Sequence, residues 1–131
     1  MNGWLVDKSA AAREGDPVIG SQLAELAGEL HVCQIGELEQ LYSARSADDY
    51  QALREELHGA YTIVSAPPDL LERALQLQSD LAQHHGMWHR TAIPDLLIAE
   101  TALYHDLGVV HVDRDYERIA EVRPLRARRL G

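Results

Sequence analysis

Apolar residues three and four positions apart alternate along this chain with short, unbroken apolar runs, the pattern of amphipathic helices separated by buried strands. The clearest case lies between Thr91 and Ala120. Pro94 stands where a first helical residue is expected, with its φ already fixed and its missing N–H no loss at a helix start. Leu96, Leu97, Ala99, Ala102, Leu103 and Leu107 follow at helical spacing, and Gly108 is placed for a left-handed C-terminal cap. A helix from about Pro94 to Leu107 is predicted. Val109, Val110, His111 and Val112 are short and mostly β-branched, as in a strand buried on both faces of a parallel sheet. Asp95 thus falls in the opening turn of the helix and Asp113 at the carboxyl end of the strand.

The same rhythm assigns the rest of the chain. Trp4, Leu5 and Val6 form a short strand ending at Asp7, with Ser9 as cap for a helix through Ala10, Ala11 and Ala12. Gly15, Asp16, Pro17 and Gly20 then break the chain. Ser21 caps a helix carrying Leu23, Leu26, Ala27 and Leu30, and Cys33 to Arg45 is a further helix with Ile35, Leu38, Leu41 and Tyr42 as its buried stripe. Glu37 and Glu39 flank that stripe on opposite sides, because two helical residues turn a side chain by about 200°. Periodicity does not choose between them. Ser46 and Asp49 resemble a capping box for a helix with Tyr50, Leu53 and Leu57 inward, ended by Gly59. Ala60 to Val64 is the second strand. Pro67 and Pro68 open a long helix with Leu70, Leu71, Ala74, Leu77 and Leu81 inward, ending near Gly86, and Met87 to Ala92 is a loop. Tyr116, Ile119 and Ala120 suggest one short helix before an arginine-rich tail over about 123–131, with Glu121 to Leu125 as a candidate fourth strand. Strands alternating with helices in this order predict an α/β fold with a small, mostly parallel sheet flanked by helices.

Composition narrows the function classes. A chain of 131 residues reads as a single domain, 1–131, that buries roughly two thirds of its unfolded surface. The lone cysteine, Cys33, rules out a disulfide framework and a multi-cysteine zinc site, and suits a reducing cytoplasm. Met1 to Val6 is too short and uncharged for a signal peptide, and no later run reaches membrane-spanning length, so a soluble cytoplasmic protein is expected. His85 and His89 have the spacing of half a zinc site but lack partner cysteines. The net charge of −9, from 21 acids against 12 basic residues, argues at first against a polyanionic partner. Two features weaken that argument: divalent cations would neutralise part of the acid, and six of the basic residues follow Asp113. Arg90 stands just ahead of the acidic helix.

Three carboxylates, Asp7, Asp95 and Asp113, are therefore predicted near one edge of the sheet, with a fourth available from the helix that carries Glu37 and Glu39. One such acid is ordinarily a cap or a solvated turn. Several together resist ionising unless a cation neutralises them, and ligation by oxygen alone selects Mg²⁺ or Mn²⁺ over zinc.

The residues around these acids carry a family resemblance. Leu5-Val6-Asp7-Lys8-Ser9-Ala10, Leu38-Glu39 with Tyr42-Ser43-Ala44-Arg45, Ile93-Pro94-Asp95-Leu96-Leu97-Ile98-Ala99, and Val112-Asp113-Arg114-Asp115-Tyr116-Glu117-Arg118-Ile119 resemble the four motifs of PIN domains. The set is most similar to the VapC-type toxins of bacterial toxin-antitoxin pairs. The resemblance implies a PIN-like three-layer sandwich and a Mg²⁺- or Mn²⁺-dependent endoribonuclease. It makes Asp7, Glu39, Asp95 and Asp113 both the catalytic and the metal-binding residues, with Ser9, Asp115 and Glu37 in supporting roles and Arg90 and Arg114 as contacts for RNA. Asp115 is the alternative to Asp113 and Glu37 to Glu39. Hydrolysis would need no protein nucleophile: cations would activate a water and stabilise the leaving 3′ oxygen, yielding a 5′ phosphate. The resemblance further implies an RNA substrate, a cognate antitoxin protein and a homodimer, with no membrane partner. The competing readings are an inactive PIN-like interaction module and, less well matched, a receiver-like or phosphatase-like α/β domain.

Overall fold

The computed structural model describes residues 3–131; Met1 and Asn2, at the head of the opening run discussed above, lie outside them. Five short strands form one sheet: β1 (Trp4–Val6), β2 (Leu30–Cys33), β3 (Thr62–Val64), β4 (Gly108–His111) and β5 (Ala127–Arg129). Every neighbouring pair is parallel, and the order is β3-β2-β1-β4-β5. The chain steps outward from β1 to β2 and β3, then returns to the other side of β1 for β4. The crevice beyond the carboxyl ends of β1 and β4 is thus the switch point at which open parallel sheets bind ligands.

Alternation along the two central strands makes the layers. Leu5 and Val109 face one side, where α5 (Leu70–His84), α6 (Ile93–Tyr104) and α7 (Asp115–Ile119) supply Leu77, Leu81, Leu96, Ile98, Ala102, Tyr116 and Ile119. Val6 and Val110 face the other, covered by α1 (Lys8–Ala11) and α2 (Pro17–Glu25) through Ala10, Ile19 and Leu23. Two further helices, α3 (Gln34–Leu41) and α4 (Ala47–Ala60), link β2 to β3. No helix among the described residues is long and apolar enough to cross a membrane.

Several boundaries differ from the expected ones, each for a local reason. Ser21 does not start α2; Asp16 does, its Oδ1 accepting the N–H groups of Val18 and Ile19 while Pro17 takes the first helical position. The helix does not run to Leu30 either. Gly28, at φ +93°, turns the chain, and Leu30–Cys33 becomes a strand held between β1 and β3. Asp7, not Ser9, caps α1. Gly59 lies inside α4, and Trp88–Arg90 form a single 3₁₀ turn within the expected loop. The left-handed residue after α6 is Asp106, at φ 54°, and Gly108 already belongs to β4. The last strand comes from the arginine tail, at Ala127–Arg129, rather than from Glu121 to Leu125. Leu38, Tyr42, Tyr50 and Leu71, expected inward, are exposed, Tyr42 by 87%. Helical spacing marks a stripe but not its width, and short helices over a five-stranded sheet bury only its centre.

Gly108 is required by contact rather than by φ. A Cβ there would lie 2.6 Å from the Trp4 ring and 2.8 Å from the Arg126 backbone oxygen. Gly108→Ala is expected to lower stability by about 1–3 kcal/mol through forced displacement of β5. Gly59→Ala, with open space around it in a helix, should raise stability by up to about 1 kcal/mol. Chemical denaturation of the two variants checks both signs.

Candidate metal centre

Each acid reaches the switch point by a different local device. Asp7 is the first residue beyond β1. Its backbone N–H donates to the Val110 oxygen, and its Oδ2 accepts the Ser9 N–H at 3.0 Å, so the carboxylate that opens α1 is turned into the crevice. Asp95 sits in the first turn of α6, where the helix dipole favours negative charge. Asp113 follows β4 by two residues, and its Oδ1 accepts the Asp115 N–H at 2.9 Å, closing the turn into α7. Asp7 and Asp95 are buried, at 3% and 8% exposure; Asp113 and Asp115 are half-buried.

Oxygens of Asp95, Asp113 and Asp115 all lie within 4.8 Å of one another. Asp7, Asp95, Asp113 and Glu39 together line a cleft of about 290 Å³, with Ser9 at its wall. Glu37 is turned the other way, toward Arg54 at 3.6 Å and His58 on α4. The α3 helix therefore sends one glutamate to the cleft and the other to its neighbour. The Ser9 hydroxyl accepts the Val112 N–H at 3.0 Å and ties α1 to the exit of β4. Arg114 is exposed between two of the acids, and Arg90 is exposed in the 3₁₀ turn; neither lines the cleft.

Three residues in or behind the cleft are not singled out by the sequence alone. Lys8 and Arg13 line the acidic cleft, Arg13 donating to the Ser9 backbone oxygen at 2.7 Å. The available signal was position: Lys8 adjoins Asp7, and Arg13 follows Ser9 by one helical turn. Tyr116 is fully buried, and its hydroxyl donates to Asp7 Oδ1 at 2.7 Å while lying 3.2 Å from Asp95 Oδ1. Its apolar spacing marks it as core, but a buried phenol must also find an acceptor. The tail arginines, by contrast, are engaged in the structure. Arg126 and Arg128 lie over the Trp4 ring, Arg123 pairs with Asp80 and Glu100, and Arg129 pairs with Glu117. His85 stacks on Trp88.

Crowding shows in the titration of these groups. Burial, the hydrogen bond with Asp115 and the charges of Asp7 and Asp113 push the Asp95 carboxyl up to about 8. Burial and then the Asp7 charge raise Glu39, and burial followed by its acidic neighbours raises Asp113. The Tyr116 phenol is driven well above its ordinary value, first by burial and then by Asp7. The buried Glu39 Oε1 has no hydrogen-bond partner among the described residues. Converging carboxylates, one orphaned oxygen and an all-oxygen donor set fit a hard divalent cation.

Comparison with known proteins gives concordant results. The PIN domain family model matches residues 5–122. The chain is 55% identical to ribonuclease VapC17 of Mycobacterium tuberculosis over 95% of its length and 92% of the relative's. It is 38% identical to ribonuclease VapC21 of the same organism, covering 91% and 87% of the two chains. Among solved structures, DNA-bound VapBC from Salmonella typhimurium superposes with a TM-score of 0.79 at 18% identity, over 98% of both chains. VapBC-5 from Mycobacterium tuberculosis gives 0.68 at 19% identity, over 98% of both.

The raised Asp95 value has a consequence for stability. The folded chain keeps this proton up to about pH 8, whereas the unfolded chain gives it up near its ordinary 3.8. Folded protein therefore binds more protons across that window, and the contribution of Asp95 to stability falls as pH rises through it. In EDTA, Asp95→Asn should gain thermal stability relative to the parent chain between pH 5 and pH 8, and saturating Mn²⁺ at pH 8 should reverse the order. Thermal unfolding at both pH values checks this; parallel profiles would contradict it.

Proposed function

Because this chain belongs to the PIN-domain family and is a ribonuclease of the VapC kind, we propose that Asp7, Glu39, Asp95 and Asp113 are its metal-binding catalytic quartet, with Mg²⁺ or Mn²⁺ as the ion. The observation that carries the proposal is the convergence of these four carboxylates on one cleft at the sheet's switch point. Asp115, within the same cluster as Asp95 and Asp113, supports the ligation. Glu37, engaged with Arg54 and His58, is excluded from the set.

When bound, the cations supply a water of lowered pKa and an electrostatic clamp on the leaving oxygen. The chain's own residues do the rest. Asp7, fixed by the Ser9 N–H and by Tyr116, and Asp95, beside the same hydroxyl, set the depth at which a phosphodiester can sit. Ser9 keeps α1 against β4, so that Asp7 and Asp113 hold their separation. Lys8 and Arg13 offer the positive charge that an RNA backbone requires beside an acidic cleft, and Arg90 and Arg114 extend that charge outward. No side chain is needed as nucleophile, and in-line attack leaves a 5′ phosphate and a 3′ hydroxyl.

As a toxin, the chain pairs with an antitoxin protein and acts in the cytoplasm. A homodimer would use apolar surface that the monomer leaves open, on α3 at Leu38, on α5 at Leu71 and Leu75, and at Ile93 and Tyr104.

Loss of a ligand should remove several kcal/mol of transition-state stabilisation, hence at least roughly 100-fold in rate. Asp95→Asn and Glu39→Gln are expected to lose Mn²⁺-dependent cleavage of RNA to that extent while keeping a native circular dichroism spectrum. Glu37→Gln should cleave at close to the parent rate. Undiminished cleavage by Asp95→Asn would refute the assignment.

A further inference from the structure

The geometry points to Tyr116 as a positioning residue of the metal centre, its phenol O–H holding the Asp7 and Asp95 carboxylates in the orientation that receives cations. The inference rests on the nuclease reading above and concerns a residue outside the acidic quartet. Tyr116 is the largest fully buried side chain in the structure's core, and its ring is packed as a phenylalanine's would be, with the His111 ring centroid 5.2 Å away and Ile119 on the same helix. The hydroxyl adds nothing to that packing. It is directed instead at two carboxylates brought from β1 and α6, 109 and 21 residues away in sequence.

The distances divide the work. At 2.7 Å the bond to Asp7 Oδ1 is in the short range of hydroxyl-to-carboxylate hydrogen bonds. Asp7 Oδ2 is meanwhile held by the Ser9 N–H at 3.0 Å. A carboxylate gripped at both oxygens cannot rotate about its bond to Cβ, yet each oxygen keeps a lone pair for a cation. One hydroxyl carries one proton, so Asp95 Oδ1, at 3.2 Å, takes the lesser share and stays open to ligation. The phenol also draws off part of the repulsion between two acids that would otherwise turn apart. A Phe at this position would keep the core and release the carboxylates.

The test is Tyr116→Phe in the full chain, with Mn²⁺ alone as the probe. Isothermal titration should show Mn²⁺ affinity reduced about tenfold or more, the usual effect of removing a group that orients a metal ligand. The Mn²⁺ concentration for half-maximal RNA cleavage should rise in parallel, while KM for RNA at saturating Mn²⁺ stays unchanged. Ile119→Val, on the same helix face, serves as the packing control: it should lower the melting temperature and leave Mn²⁺ affinity intact. Unchanged Mn²⁺ affinity in Tyr116→Phe overturns the inference, as does an equal loss in Ile119→Val. If the parent chain itself binds no Mn²⁺, the metal-centre reading falls and this inference falls with it.

Discussion

Mutual repulsion among carboxylates is the constraint around which this molecule is built. Asp7, Asp95, Asp113 and Glu39 share one cleft of about 290 Å³ with Asp115 beside it. Burial opposes their ionisation and the neighbouring charges add to it, and together they raise Asp95 to about 8. The fold answers with fixed donors. The Ser9 and Asp115 backbone N–H groups, the first turn of α6 and the Tyr116 hydroxyl each face a carboxylate.

The parallel sheet makes this convergence possible. In-register pairing of Val6 with Val110 brings the ends of β1 and β4 level, so residues more than a hundred positions apart in sequence leave the sheet side by side. An ion network around one buried glutamate braces the arrangement from behind. Glu100, five residues beyond Asp95 on α6, is 4% exposed and faces Arg123 and Arg73, which also reach Asp80 and Asp69 on and beside α5. Losing one partner of such a network strands a buried charge, so the pose of α6, and with it Asp95, depends on α5 and on the segment after α7.

Much of this was legible in the sequence, unevenly so. Strong local signals read correctly: Pro94 opening the acidic helix, Ser46 capping α4, and the β-branched run before Asp113. The missed strand, Leu30–Cys33, had no such signal, because its apolar residues continue the helical spacing of Leu23 and Leu26, and only Gly28 interrupts it. Placement of Glu37 and Glu39 needed α4, since the helix presents both, and Arg54 and His58 decide which one is drawn away. Tyr116 was legible as core but not as a donor; the hydroxyl has meaning only beside Asp7. The arginine tail carries no strand signal beyond Leu125, yet Trp4 and the β4 edge give it a strand.

That last strand has a consequence for synthesis. Val109 to His111 pair with Ala127 to Arg129, and Arg126 closes over Trp4. Until those residues leave the ribosome, β4 is a bare sheet margin and the turn bearing Asp113 is anchored on one side only. A nascent chain therefore carries an open sheet edge beside the strand that leads to Asp113, and the sheet closes only when the last strand has been made.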